Sequence, residues 1–154
     1  MAMSERKNKY GNHKIVHERW GVFDSDLEMA RYIFLMEREK KGEISDLRRQ
    51  VEFSLIPSQY KAVEVKLKTK TKVVDKLLYS GVTYRADFVY KRNGETIVED
   101  CKGEDTIYYK DGKKKRFSTQ TADFKIKMKL MYYFHKIEIK IVSIPTFWEK
   151  NAEK

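Results

Sequence analysis

The dipeptide Asn93-Gly94 separates two stretches in which polar and apolar residues alternate, and it constrains the fold more strongly than any other feature of the chain. Asn-Gly is the strongest short signal for a β-hairpin, because both central residues of a type I′ turn need a positive φ. The flanking stretches, 84–91 and 96–102, are therefore predicted to form paired antiparallel strands. With Asn93 and Gly94 as the loop, Arg92 pairs with Glu95, and that pair sets the register of the hairpin.

This register gathers charged residues on one face of the hairpin. Counted back from the turn, Asp87 lies directly opposite Asp100, and side chains alternate between the two faces along each strand. The face so defined carries Arg85, Asp87, Asp100 and Lys102, with Arg85 opposite Lys102. Glu99 and Cys101 are predicted to point the other way. A one-residue bulge would exchange Asp100 for Glu99 on the charged face, although the register and the spacing to Lys102 favour Asp100.

Two carboxylates placed directly across a hairpin repel each other, and two interpretations resolve the repulsion. In the first, a divalent cation lies between Asp87 and Asp100, since Mg²⁺ is commonly held by one or two carboxylates together with substrate phosphate oxygens. In the second, the face is a solvated surface of mixed charge, on which Asp87 pairs with Arg85 or Lys102. The residues of the hairpin alone leave both interpretations open.

The overall charge indicates a polyanionic partner. The chain has 154 residues, of which 33 are Lys or Arg and 23 are Asp or Glu, giving a net charge of +10 and a pI near 9.5. Nucleic acid is the simplest such partner, because neutralising phosphates releases counterions. An anionic membrane surface is the alternative, but no basic amphipathic helix stands apart from the rest of the chain. Lysine-rich stretches at 66–76 and 113–116 are read as loops that contact DNA.

Two helices frame the strand region. Ser25 and Glu28 have capping-box spacing, and a basic turn followed by Gly42 supplies a stop, so the first helix is predicted over about 25–41. The second is predicted from a cap at Ser118 to about His135. Between them lie about four strands and a polar basic loop over 106–116, and a closing strand is predicted over 137–144. Residues 1–19 are predicted to form a basic N-terminal arm.

These elements predict one α/β domain over 1–154, with a central mixed β-sheet flanked by helices. The single cysteine, Cys101, excludes an internal disulfide framework and is typical of a reducing compartment. No apolar segment approaches the roughly 20 residues that cross a bilayer, and the N-terminus carries no secretory signal. The chain is therefore expected to be cytoplasmic, with no membrane partner.

The hairpin resembles the signature of the PD-(D/E)XK nucleases, the restriction-endonuclease-like superfamily. The resemblance rests on Ala86-Asp87-Phe88 and on Val98 to Gly103, in which Asp100-Cys101-Lys102 stands for the (D/E)-x-K triplet. The segments Asn8-Lys9-Tyr10-Gly11-Asn12 and Phe23-Asp24-Ser25, with Glu28, also resemble small phage-encoded members that are similar to archaeal-type Holliday junction resolvases. Together these segments span roughly residues 8 to 142. The resemblance departs from the pattern where Ala86 replaces Pro and where the triplet begins with Asp.

The resemblance implies a restriction-endonuclease-like core with the order α-β-β-β-α-β and a site for Mg²⁺ or Mn²⁺. Asp87, Asp100 and the main-chain carbonyl of Cys101 would hold the metal, and Lys102 would position or activate a water molecule. Glu28 would be a further metal ligand and catalytic residue, while its spacing from Ser25 also gives it the role of a helix-capping side chain.

The expected activity is metal-dependent hydrolysis of DNA, in the first instance at four-way junctions and by a homodimer. Residues expected to contact DNA are Lys7, Lys9, Lys14, Arg85, Lys113, Lys114, Lys115, Arg116, Lys125 and Lys129. Two alternatives stay open: a nuclease of the same type that acts on flaps, ends or specific duplex sites, and a nucleic-acid-binding module without catalysis.

Overall fold

The computed structural model describes residues 14–108, 110–118 and 120–143. Within these ranges the chain forms ten strands and two helices. In chain order they are β1 Ile15–His17, β2 Gly21–Phe23, α1 Asp26–Lys40, β3 Ser45–Ile56, β4 Gln59–Lys66, β5 Thr71–Tyr79, β6 Val82–Arg92, β7 Glu95–Cys101, β8 Glu104–Tyr108, β9 Lys114–Ser118, α2 Ala122–His135 and β10 Ile139–Val142.

A four-stranded sheet with the order β10-β7-β6-β3 forms the centre of the fold. Strands β3, β6 and β7 are antiparallel neighbours, whereas β10 runs parallel to β7, so the sheet is mixed. Apolar side chains pack on both faces. One cluster joins the sheet to α2 through Phe124 and Met131, and the other joins it to α1 through Leu35. The predicted α/β class with a mixed central sheet and two helices is confirmed.

Helix α1 begins and ends as the sequence predicts. The Ser25 hydroxyl accepts a 3.2 Å hydrogen bond from the backbone N–H of Glu28, which is the N-cap interaction. At the other end Gly42, with φ of 73°, donates to Glu39, and Glu43 donates to Arg38. These two bonds form a Schellman motif, in which glycine supplies the left-handed residue. The fully buried positions of the helix include two charged residues, Glu28 and Arg31.

Helix α2 begins later than predicted. Its N-cap is Thr121, whose hydroxyl accepts from the N–H of Phe124, and the helix runs over Ala122–His135. The predicted cap Ser118 is instead the last residue of β9. Both residue types are good caps, so local sequence could not choose between them. The predicted closing strand is present but shorter, at Ile139–Val142, and Ile144 lies outside the described residues.

Two hairpins stand where loops were predicted. The lysine-rich stretch 66–76 contains the end of β4 and most of β5, and these strands form a separate two-stranded sheet. The predicted loop 106–116 contains most of the hairpin β8–β9. Its run of basic residues lacks the apolar alternation by which strands are recognised, so composition favoured a loop. Part of the predicted N-terminal arm is likewise a strand, β1, paired with β2, and residues 1–13 lie outside the described part.

The β6–β7 hairpin has the predicted turn and register. Asn93 and Gly94 have φ values of 51° and 81°, and Arg92 pairs with Glu95. The pairing continues in the same register as far as Phe88 with Glu99 and stops there, so the predicted strand pair of Asp87 with Asp100 is not formed. Strand β7 ends at Cys101, so Lys102 lies just beyond the sheet and the predicted strand pairing of Arg85 with Lys102 is not formed; Arg85 pairs with Glu52 of β3.

Strict alternation fails in β6 at Asp87. Tyr84 and Ala86 belong to the α2-side cluster, whereas Phe88 and Tyr90, in the same even-numbered series, belong to the α1-side cluster. The side-chain pattern therefore reverses between Ala86 and Phe88. On the neighbouring strand Gln50 adopts a left-handed backbone with φ of 51°, between the regular pairs formed by Arg49 and Val51. The irregularity brings Tyr84, on the α2 side of the sheet, and Gln50 close to Asp87 and Asp100.

Candidate active site

An open pocket of about 290 Å³ lies where β6 and β7 approach the start of α2. Its lining residues are Asp24, Gln50, Tyr84, Arg85, Asp87, Asp100, Lys102, Thr121, Asp123, Phe124 and Lys127. Four of them are carboxylates and three are cations, so the pocket is more acidic than this basic chain as a whole. A water molecule occupies about 30 Å³ in the liquid. The pocket therefore has room for a hydrated ion and a phosphate group. All four charged residues predicted to share a face line this pocket.

Asp100 is the most buried carboxylate of the pocket, and two side chains hold it. Its Oδ2 accepts a 2.9 Å hydrogen bond from the Tyr84 hydroxyl, and its Oδ1 lies 2.6 Å from Lys102 Nζ. Lys102 Nζ also lies 4.2 Å from the centroid of the Phe124 ring, which fixes the ammonium between an anion and an aromatic face. Burial, followed by the charge of Asp100, raises the pKa of Tyr84, so this hydroxyl stays a donor.

Asp87 faces the main chain of β7. Its Oδ2 accepts a 2.7 Å hydrogen bond from the N–H of Cys101, and its Oδ1 lies 3.5 Å from Gln50 Nε2. Burial raises the pKa of Asp87 to about 7, and the charge of Asp100 adds to this effect; the Cys101 hydrogen bond opposes it. Asp87 and Asp100 therefore interact electrostatically in the pocket, although they are not paired across the strands.

Glu28 lies behind the pocket. It is 2% exposed, and its carboxylate accepts hydrogen bonds from the Asp24 N–H at 2.8 Å and from Gln50 Nε2 at 2.9 Å. Gln50 thus connects Glu28 to Asp87. The interaction with Asp24, at the beginning of α1, gives Glu28 a capping role, while the interaction with Gln50 ties it to the pocket. Glu28 is not among the residues that line the pocket and reaches Asp87 only through Gln50, so its role as a metal ligand stays a prediction.

Glu99 belongs to the opposite face of the sheet. It is fully buried, forms an ion pair of 2.6 Å with Arg31 of α1, and accepts a 2.8 Å hydrogen bond from the Tyr90 hydroxyl. The structure therefore resolves the register question of the sequence: Asp100, and not Glu99, shares the pocket with Asp87. The buried pair of Glu99 and Arg31 attaches α1 to the back of the strand that carries Asp100.

The oxygen atoms of Asp87, Asp100 and Cys101 are of the kind that binds a magnesium-type cation. Oδ1 of Asp100 is buried, and the Lys102 ammonium 2.6 Å away is the cation that holds it. The N–H and C=O of one strand residue point to the same neighbour, so the Cys101 carbonyl also lies on the side of Asp87. Two carboxylates and a carbonyl suit Mg²⁺, which keeps several waters. The described residues contain no cluster of three or more His, Cys, Asp or Glu arranged as a metal site.

The residues predicted to contact DNA are dispersed. Arg85 lines the pocket, and Lys14 lies near it through an ion pair of 3.5 Å with Asp24. Lys125 and Lys129 are exposed on α2 but do not line the pocket, and Lys113 pairs with Asp111. Lys7 and Lys9 lie outside the described residues, as do the side chains of Lys114, Lys115 and Arg116 on β9.

Sequence reasoning missed several residues of the pocket. Tyr84 and Gln50 escaped because strict alternation assigns them to other positions, and only the irregularity at Asp87 and Gln50 brings them into place. Lys127 could have been found, because it lies one helical turn from Phe124, on the same side of α2. The sequence predicts DNA contacts for its neighbours Lys125 and Lys129, which do not line the pocket.

The fold and the pocket define an α/β protein with an acidic, lysine-containing pocket beside the central hairpin of a mixed sheet. The chain belongs to the family described as Protein of unknown function (DUF1064), which it matches over residues 7–140. Comparisons with curated proteins and with solved structures find no match. Within the described ranges, neither helix has the length and apolar character needed to cross a membrane.

Proposed function

We propose that this protein is a metal-dependent DNA endonuclease of the PD-(D/E)XK type. The observation that carries the proposal is the convergence of Asp87, Asp100 and Lys102 in one open pocket, where two neighbouring carboxylates lie beside a lysine. The charges also suit the proposal: four carboxylates in one pocket can attract a cation, while the net charge of +10 attracts a polyanion.

The arrangement around the central sheet supports the same proposal. The elements that build the sheet and its two helical layers follow the chain order α1, β3, β6, β7, α2, β10. This is the order expected for a restriction-endonuclease-like core, with the hairpins β4–β5 and β8–β9 as insertions. The proposed site then lies on β6 and β7, at the positions that the resemblance implies for the Asp and for the (D/E)-x-K triplet.

The proposed roles follow from the contacts of each residue. Asp87 and Asp100 would hold Mg²⁺ or Mn²⁺, with the Cys101 carbonyl as a further oxygen ligand. When bound, such an ion polarises a phosphodiester and lowers the pKa of a bound water. Tyr84 orients Asp100 through its hydroxyl, and Gln50 connects Asp87 to Glu28. Lys102, held at the Phe124 ring, is placed to orient a water or to stabilise charge on the phosphate.

Within this proposal the substrate that we favour is a four-way DNA junction, cut by a homodimer. Resolution of a junction needs two symmetric cuts, and a twofold-related pair of pockets meets that need. A nuclease of the same chemistry that acts on flaps, ends or particular duplex sites is the alternative. The chemistry of the pocket is the same for both, so only a comparison of substrates separates them.

The test is cleavage by the full chain, with Mg²⁺ or Mn²⁺, of a four-way junction, a linear duplex and a single strand in equal amounts. We expect paired nicks across the junction, lost in Asp87→Asn and Lys102→Ala but retained in Asp75→Asn and Lys40→Ala. The control residues are exposed, and neither lines the pocket. Equal cleavage of linear DNA would exclude the junction-specific form. No metal-dependent cleavage of any substrate would exclude the nuclease and favour a binding module.

A further inference from the structure

The hairpin β4–β5 carries an unusual amount of exposed surface. It forms its own two-stranded sheet. Within β4 and β5 the cross-strand pair Val63 and Val74 is half-buried, and every other residue is exposed. Two-stranded hairpins are marginally stable in water when nothing packs against them. Large apolar residues are exposed on it, including Tyr60 at 61% and Val73 at 62%. An exposed hairpin of this size is a candidate binding surface.

The register separates the charges of this hairpin by face. Val63 pairs with Val74, and side chains alternate on either side of that pair. The face that contains the two valines, which we call the basic face, carries three lysines and no carboxylate: Lys61, Lys72 and Lys76. The opposite face carries both acidic residues of the hairpin, Glu64 and Asp75, with Lys66.

The basic face contains a direct repulsion. Lys61 and Lys76 are cross-strand partners, and like charges directly opposite each other destabilise a sheet. Among the described residues, none of the three lysines has a carboxylate within ion-pair distance. An anion placed between these two ammonium groups would turn the repulsion into attraction. The arrangement is thus complementary to a polyanion.

We propose that the basic face of β4–β5 binds the sugar-phosphate backbone of duplex DNA and acts as an arm that holds the substrate. This inference takes DNA as partner from the proposed function, but it concerns binding and not cleavage. A two-stranded ribbon fits the major groove, which is about 12 Å wide. Lysines that contact phosphates position a duplex without reading its sequence, as a shape-directed nuclease requires.

A second copy of the chain fits this face less well. Two basic faces placed together would bring six lysines into contact, and lysines on exposed strands act against pairing between sheets. Pairing of a basic face with the acidic face of another copy is a heterologous contact, which builds rings or open filaments and not the twofold dimer proposed for the nuclease. Charge complementarity therefore favours DNA as the occupant.

The test is binding of a short linear duplex in EDTA, where no metal-dependent cleavage occurs, over a series of salt concentrations. We expect the triple variant Lys61→Gln, Lys72→Gln, Lys76→Gln to bind at least about tenfold more weakly and to reduce the slope of log affinity against log salt by up to about 2.7. The matched control is Lys40→Gln, Lys41→Gln, Lys91→Gln, which removes the same charge from exposed positions elsewhere. We expect this control to change the slope by less than about 0.9, which is the contribution of one phosphate contact.

Three outcomes would overturn the inference: equal effects of the two triple variants, no duplex binding by the unmodified chain, or a change of sedimentation in the first triple variant that marks the face as a self-association surface. Lys72→Gln alone, whose partner is Val65, serves if the triple variant does not fold. Loss of binding in the triple variant of a chain that cleaves nothing would support the arm while it excludes the nuclease.

Discussion

Gln50 Nε2 donates a 2.9 Å hydrogen bond to Oε1 of Glu28, from a residue whose backbone is left-handed with φ of 51°. The same nitrogen lies 3.5 Å from Asp87 Oδ1. A residue with a Cβ is strained in this conformation, and such strain persists where the surrounding structure over-determines it. Here the conformation turns an amide toward two carboxylates that would otherwise repel each other. We therefore assign Gln50 the part of a positioning residue.

Replacement of Gln50 separates its backbone strain from its hydrogen bonds. Gln50→Ala keeps the strain and removes the amide, whereas Gln50→Gly removes both. We expect Gln50→Gly to be more stable than Gln50→Ala by about 1 kcal/mol, because glycine occupies the left-handed region freely. Urea denaturation measures the difference. Equal stability of the two variants would mean that the strain is absent in solution. Both variants should lose nuclease activity if the link from Glu28 to Asp87 positions the site.

The pKa of Asp87 predicts how the stability of the metal-free protein depends on pH. The folded-state pKa is raised to about 7 from an ordinary value of 3.8, so between these values the folded protein holds a proton that the unfolded chain has lost. The free energy of unfolding therefore falls as the pH rises through this window. Across the whole window we expect a loss of about 4 kcal/mol from this group, at roughly 1.4 kcal/mol for each pH unit between the two pKa values.

Asp87→Asn isolates that contribution. The amide oxygen can still accept the Cys101 hydrogen bond but does not titrate, so the variant should lack the decline and exceed the unmodified chain in stability at about pH 8. Asp75→Asn, at an exposed position, is the matched control and should leave the decline in place. Denaturation midpoints measured in EDTA across the window give the answer. A decline that persists unchanged in Asp87→Asn would assign it to another group.

The sequence predicted those parts of the fold that short-range chemistry determines. The Asn93-Gly94 turn fixed the register of β6 and β7, and the Ser25 cap with Gly42 fixed the ends of α1. Residues brought in by distant chain segments were not predictable in this way. The buried face of α1 carries Arg31, which no apolar periodicity reveals, because its partner is 68 residues away in the sequence.

The Asp100 environment shows the same limit within the site. The register predicted from the turn brings Asp100 near Asp87, and both line the pocket, although the regular strand pairing stops at Phe88 and Glu99. Tyr84, which holds its Oδ2, could not be predicted, because the alternation that would place it on the other face reverses at Asp87. The hairpin β8–β9 was missed for a related reason: its strands are paired through the backbone, while their composition is that of a loop.

Breaking the ion pair of Arg31 and Glu99 should cost far more stability than breaking an exposed pair. Both side chains are almost fully buried, so Arg31→Met leaves a carboxylate without its cation in the core. We expect a loss of about 3 to 5 kcal/mol. The matched control is Arg38→Met, which breaks the more exposed pair with Glu43 and should cost less than about 1 kcal/mol.

The double variant Arg31→Met, Glu99→Gln provides the check on this interpretation. If the cost of Arg31→Met arises from the unpaired carboxylate, removal of its charge should recover part of the stability. Denaturation by urea of the single and double variants measures the recovery. Additive losses would show instead that the two residues act independently.

Magnesium should stabilise the folded protein through Asp87 and Asp100. A ligand that binds only the folded state raises its stability by about 2.7 kcal/mol at a hundred times its dissociation constant. We therefore expect Mg²⁺ or Mn²⁺ to raise the Tm of the unmodified chain, and to raise it more at pH 8 than at pH 5, because a raised pKa leaves Asp87 protonated in acid.

The metal-induced rise in Tm should vanish in Asp100→Asn and persist in Asp75→Asn. In Lys102→Ala it should grow, since the ammonium that lies 2.6 Å from Asp100 no longer competes with the metal. A shift of equal size in Asp100→Asn would place the bound ion elsewhere on the chain.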